Sequence, residues 1–120
     1  MNFRVSSRQV GTATIVDISG PLMYGEARAL HDMLSELLKA GHNKILLNLG
    51  NVSHLDSSGI SLLVRSYSTV KNAGGQMKML NLGKQIQRLL EITNLAKIFE
   101  DYPDEESALQ SFQDSANPKG

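Results

Sequence analysis

Apolar positions along this chain change their spacing in a fixed order. Two strand-like runs, residues 3–9 and 12–18, meet at Val10-Gly11, which predicts a hairpin. In the second run Ala13, Ile15 and Asp17 alternate with Thr14, Val16 and Ile18, the pattern of a strand buried on most of both faces. Gly20-Pro21 is expected to stop it. A helix follows over residues 25–40, with Ala27, Leu30, Leu34, Leu37 and Leu38 on one face and Gly41 closing it. The unbroken Ile45-Leu46-Leu47 in residues 44–49 predicts a central strand, and a helix between two strands implies a parallel crossover.

From Gly59 onward Ile60, Leu63, Val64, Tyr67 and Val70 recur at helical intervals, predicting a second helix over residues 58–73 that ends at Gly74-Gly75. Residues 76–80 read as a fourth strand and residues 84–92 as a third helix burying Ile86, Leu89 and Leu90. A marginal fifth strand is expected near residues 99–102. Pro103 then precedes a last helix, 104–112, whose acidic first turn suits the helix dipole. The domain is expected to span residues 1–112, with the polar tail 113–120 disordered.

The junction over residues 44–67 is where chemistry is legible. An apolar strand passes through an expected polar loop, residues 50–55, into Asp56-Ser57-Ser58-Gly59 at a helix start. The first N–H groups of a helix lack internal partners and its dipole is positive there, which favours an oxygen-rich group such as phosphate. Ser57 is therefore a candidate phosphorylation site. Asp and Ser are equally the residues that cap helices for stability alone. Neither Glu nor Gln stands three residues after Asp56, Ser57 or Ser58, so the pattern leaves the cap register open, and either serine lies at the helix start.

Composition narrows the classes. At 120 residues and 41% hydrophobic content, one domain can bury roughly two-thirds of its unfolded surface. With no cysteine there is neither a disulfide framework nor a thiolate nucleophile. His31, His42 and His54 lack metal-ligand spacing, so no metal or cofactor is expected. Twelve basic residues balance twelve acidic ones, which argues against nucleic acid as partner. The first residues carry no secretory pattern and no apolar run reaches bilayer length, so a cytoplasmic protein is expected. Gly83-Lys84 lacks the rest of a P-loop, with Lys78 and Gln85 at the diagnostic places. Ser57 sits in no nucleophile elbow and no base is legible beside it, so an enzyme is not expected.

The order of elements, with Asp56-Ser57-Ser58-Gly59-Ile60 between the third strand and second helix, resembles the STAS domains of anti-sigma factor antagonists. Gly20-Pro21-Leu22 is similar to that family's Gly-x-Leu, and Gly74-Gly75-Gln76-Met77 to its second glycine turn. The resemblance covers residues 3–112. It implies an α/β fold, a single STAS-like domain with a mixed four- to five-stranded sheet, an N-terminal hairpin, and helices mainly on one face. It also implies a binding switch. The unphosphorylated form binds an anti-sigma factor that is also a serine kinase, freeing a sigma factor for transcription; the kinase phosphorylates Ser57, and a metal-dependent serine phosphatase restores the protein. Met23 stands where the family often has Asp, and Ser61 where a second Gly is usual, which leaves the identity of the partner kinase open.

Phosphate adds about −1.5 to −2 charges, which beside Asp56 means like-charge crowding in an interface. A hundredfold loss of affinity requires only about 2.8 kcal/mol. The expected partner-binding residues are Asp56, Ser58, Gly59, Leu62, Arg65 and Tyr24. At 100° per residue Leu62 falls opposite Ile60, Leu63, Val64 and Tyr67, so it is expected on the solvent stripe as the partner's anchor, rimmed by Ser58 and Arg65. The alternative is a STAS sensor or scaffold that binds a small ligand or assembles a signalling complex.

Overall fold

Alternation of side chains along the strands divides the core into two clusters, one on each side of a sheet. A computed structural model of the protein describes residues 2–116. Its strands are β1 (Arg4–Val10), β2 (Ala13–Leu22), β3 (Lys44–Leu55), β4 (Gln76–Leu80) and β5 (Asp101–Tyr102), in spatial order β1-β2-β3-β4-β5. The β1–β2 pair is antiparallel and the other three pairs are parallel. This is the mixed α/β sheet that the resemblance implied.

Ile45, Leu47 and Leu49 of β3 and Met77 and Met79 of β4 point to one side, where they meet helices α1 (Ala27–Lys39), α2 (Ser57–Asn72) and α3 (Lys84–Ile92). Leu46 and Leu80 point to the other, against Ala108 and Phe112 of α4 (Glu105–Ala116). Three helices thus cover one face and one covers the other. Lys78, 3% exposed, shares the α4 face; its Nζ donates to Ser111 Oγ (2.9 Å), lies 3.3 Å from Glu100 and 4.7 Å from the Phe112 ring centroid.

Glycine and asparagine end the helices on the large face. After α2, Gly74 (φ +80°) lets its own N–H reach Lys71 O and that of Gly75 reach Val70 O, a Schellman closure. Gly41 closes α1 in the same way, and Asn94 (φ +60°) does so after α3.

Four expectations need correction. Gly20-Pro21 does not stop β2, which runs to Leu22 through register shifts at Asp17/Ser19 and Gly20/Pro21. Pairing with β1 has ended at Ser19, so the missing Pro21 N–H faces no ladder there. The expected loop 50–55 is the second half of β3: Asn51, Val52, His54 and Leu55 pair with Ser19, Gly20, Pro21 and Leu22. Beyond Asn48 β3 has no partner in β4, so β2 and β3 project together as a two-stranded overhang. The first helix is preceded by a 3-10 turn, Tyr24–Glu26, and begins at Ala27. The last runs to Ala116, four residues beyond the expected end; the rest of the expected disordered tail, residues 117–120, lies outside the described residues.

Candidate functional site

The overhang delivers Leu55 to the rim of the large face, and the chain turns there into α2. Asp56 is the N-cap, in extended backbone (φ −111°, ψ −173°), so the register left open by the sequence is settled at Asp56. Its Oδ1 accepts the Gly59 amide at 2.9 Å and the Ser58 hydroxyl at 2.6 Å. These bonds, that of Ser58 first, hold the Asp56 carboxyl below the usual carboxylate range. The helix start therefore carries a fixed negative charge. Ser57 is exposed and takes no part in the cap, whereas the half-buried Ser58 spends its proton on Asp56.

Gly59 is buried where α2 passes over the end of β2. A Cβ there would collide with the Leu22 carbonyl oxygen and lie 2.6 Å from Leu55 Cδ1. Only glycine lets the helix start settle onto the overhang. Packing thus fixes the position of the two serines.

Of the other expected contact residues, Arg65 is exposed, its carbonyl oxygen accepting the Thr69 hydroxyl at 2.9 Å. Tyr24 opens the 3-10 turn ahead of α1, and its side chain lies outside the described residues. Leu62 is a correction. It is 3% exposed and belongs to the main core, so it does not stand on a solvent stripe as an exposed anchor. A helical wheel assumes one buried side, but α2 packs on the sheet with one face and on α1 with its flank. That flank buries Leu62 and also Ser66, which is 5% exposed.

Between α1 and α2 runs an open groove of about 700 Å³ with Leu62 and Ser66 in its lining, Arg28 contributed by α1, Arg65 by α2, and Ser58 also lining it. Sequence reading missed Arg28 and Ser66. Each occupies an ordinary polar position of its own helix, and only the juxtaposition of the two helices joins them to the serines.

A second cleft, of about 630 Å³, lies where β4 and β5 end beside β3, and Asn48, Asn51, Asn81 and Asp101 line it. Asn48 there also donates to Asp17 Oδ1 of β2 at 2.7 Å. The histidines pair locally, His31 with Asp32, His42 with Gln9 and His54 with Ser53, and none is bonded to Ser57 or Ser58. Among the described residues no cluster of three or more His, Asp or Glu could hold a metal. Among the described residues no helix is long and apolar enough to cross a membrane.

The family model of the STAS domain matches residues 4–108. The anti-sigma-B factor antagonist of Bacillus subtilis (strain 168) is 31% identical over 110 residues, covering 92% of this chain and all of that protein. An anti-sigma factor antagonist from Mycobacterium paratuberculosis superposes with a TM-score of 0.83 at 21% identity, over 94% of this chain and 96% of its own. The phosphorylated form of the Bacillus cell fate determinant SpoIIAA superposes with a TM-score of 0.69 at 18% identity, over 92% of this chain and 99% of its own.

Proposed function

The chain belongs to the STAS domain family, and on that premise we propose that it is an anti-sigma factor antagonist whose binding is switched by phosphorylation at Ser57. Unphosphorylated, it binds an anti-sigma factor with serine kinase activity and so frees a sigma factor; a serine phosphatase reverses the modification. It acts by binding and not by catalysis. The observation that carries the reading is the unequal state of the two serines: Ser58 Oγ is committed to Asp56 at 2.6 Å, and Ser57 is exposed at the first turn of α2. A kinase meets an available hydroxyl at Ser57 and an engaged one at Ser58.

The charge argument supports a switch of binding. The ionised Asp56 already stands beside the acceptor, and phosphate would add about −1.5 to −2 charges to the same small area. In a packed interface that costs affinity; in the free protein the helix dipole offsets it by about 0.3–1 kcal/mol. Complex formation is lost while the fold persists. The phosphorylated form of SpoIIAA shares this chain's fold, which supports a switch that leaves the fold intact.

Phosphorylation with ATP by the anti-sigma kinases encoded in the same genome, read by intact mass and site mapping, tests the reading. One phosphate is expected on the wild type and on Ser58→Ala, and none on Ser57→Ala. A phosphate that survives in Ser57→Ala and vanishes in Ser58→Ala overturns the assignment. The amide-lined cleft at the ends of β3, β4 and β5 favours, as a second reading, a sensor that binds a small polar ligand; a folded protein that no kinase modifies would point there.

A further inference from the structure

The groove between α1 and α2 is charged in a way the switch alone does not require. Arg28 stands on one wall and Arg65 on the other. Among the described residues neither has a carboxylate within ion-pair distance, whereas Arg8 holds Asp17 and Glu105, and Lys78 holds Glu100. The acidic side chain in the lining, Asp32, lies 3.5 Å from His31. Among the described residues, two arginines therefore line the groove with no carboxylate partner, above a floor made by Leu62 and the small Ser66.

The shape is that of a seat for a chain segment. Each wall is a helix, and residues spaced three or four apart on it line the groove, Ser58, Leu62 and Ser66 among them on α2. Such a trough accepts an apolar side chain at its floor and carboxylates at its rim, the pattern of a helix or extended segment in a groove. Arginine suits the rim because its planar fork pairs with carboxylate through two parallel hydrogen bonds.

Resting on the partner-binding reading above and specifying its chemistry, we propose that this groove receives an acidic segment of the partner. The segment's carboxylates lie at Arg28 and Arg65, and its apolar side chain lies along the trough between the two helices. Ser58 lines the same groove and Ser57 precedes it in the first turn of α2, so a phosphate on Ser57 brings negative charge close to the groove and repels the incoming segment. The partner's carboxylates thus meet the two arginines in the free protein, and modification adds negative charge to that already present at Asp56.

The test is an amide-resolved NMR titration of the full chain with two synthetic amphipathic peptides. One carries Leu and Glu at helical spacing, and the other has Lys in place of every Glu. The acidic peptide is expected to shift the amides of Arg28, Leu62, Arg65 and Ser66 saturably, and the basic one to leave them unmoved. Arg28→Glu and Arg65→Glu, both at exposed positions, are each expected to weaken the acidic peptide about tenfold; Arg88→Glu, on α3, leaves it unchanged. Equal response to both peptides, shifts centred elsewhere, or indifference to both arginine reversals overturns the proposal. Inorganic phosphate reproducing the same shifts at the same concentration also overturns it, by showing a simple anion site. A peptide that binds as expected to a protein no kinase modifies sinks the switch and leaves the groove; Ser57 phosphorylation with no peptide response does the reverse.

Discussion

Three neighbouring residues divide the work at the start of α2. Asp56 ties the first turn, Gly59 permits its close approach to β2, and Ser57 is left outward. Asp56→Ala removes the acceptor for the Gly59 amide and is expected to lower the melting temperature by roughly 3–6 °C in calorimetry. Gly59→Ala forces a methyl against the Leu22 carbonyl and should cost about 1–3 kcal/mol in urea unfolding, with the serines displaced. Leu62→Ala is expected to cost about 2–5 kcal/mol, because it opens the core beneath the groove. An assay of partner affinity on that variant would have to be read beside its stability. Asp56 and Ser57 were legible in the sequence, since a polar cluster between two changes of hydrophobic period marks a helix start. The burial of Leu62 was not, because it depends on where α1 lies.

At the scale of elements the strands and helices were legible wherever one periodicity held without interruption, as in Gln76–Leu80 and Lys84–Ile92, whose bounds the sequence pattern matches. The misread stretches were Gly20-Pro21 and residues 50–55, where turn-forming residues sit inside strands. Local chemistry there favours a turn, and a long-range pairing between β2 and β3 overrides it. The α4 face shows a different trade. Lys78 is buried among apolar side chains with Ser111 and Glu100 as its partners. Replacing a buried paired charge with an apolar chain of similar length is often neutral or stabilising, so Lys78→Met is expected to unfold at the same or higher urea concentration. Phe112→Ala, by contrast, should cost about 3–5 kcal/mol, since that ring fills the centre of the smaller cluster.

For the whole molecule, equal numbers of acidic and basic residues conceal an uneven distribution of pairing. The Asp17 carboxyl is held low by Arg8, that of Asp56 by Ser58 and Gly59, and that of Asp104 by the Ser107 amide and hydroxyl. A folded pKa below the unfolded one means that the unfolded chain takes up protons first as acid is added. The stabilisation is thus complete above the unfolded value of about 3.9 and is lost as pH falls through the folded values. Denaturant midpoints are expected to be level from neutral pH down to about pH 5 and to fall below about pH 4, and Asp17→Asn should flatten that fall.

The overhang of β2 and β3 carries a kinetic consequence. Residues 45–47 of β3 lie between two strands and are fully covered, whereas Asn51–Leu55 has a ladder on one side only. The amides of that outer half should trade their protons for deuterium sooner than those of the inner half, through a local opening that leaves the centre of the sheet closed. Ser57, the proposed phosphoacceptor, follows that outer half by two residues, so the same opening is expected to loosen the start of α2 while the rest of the domain stays folded.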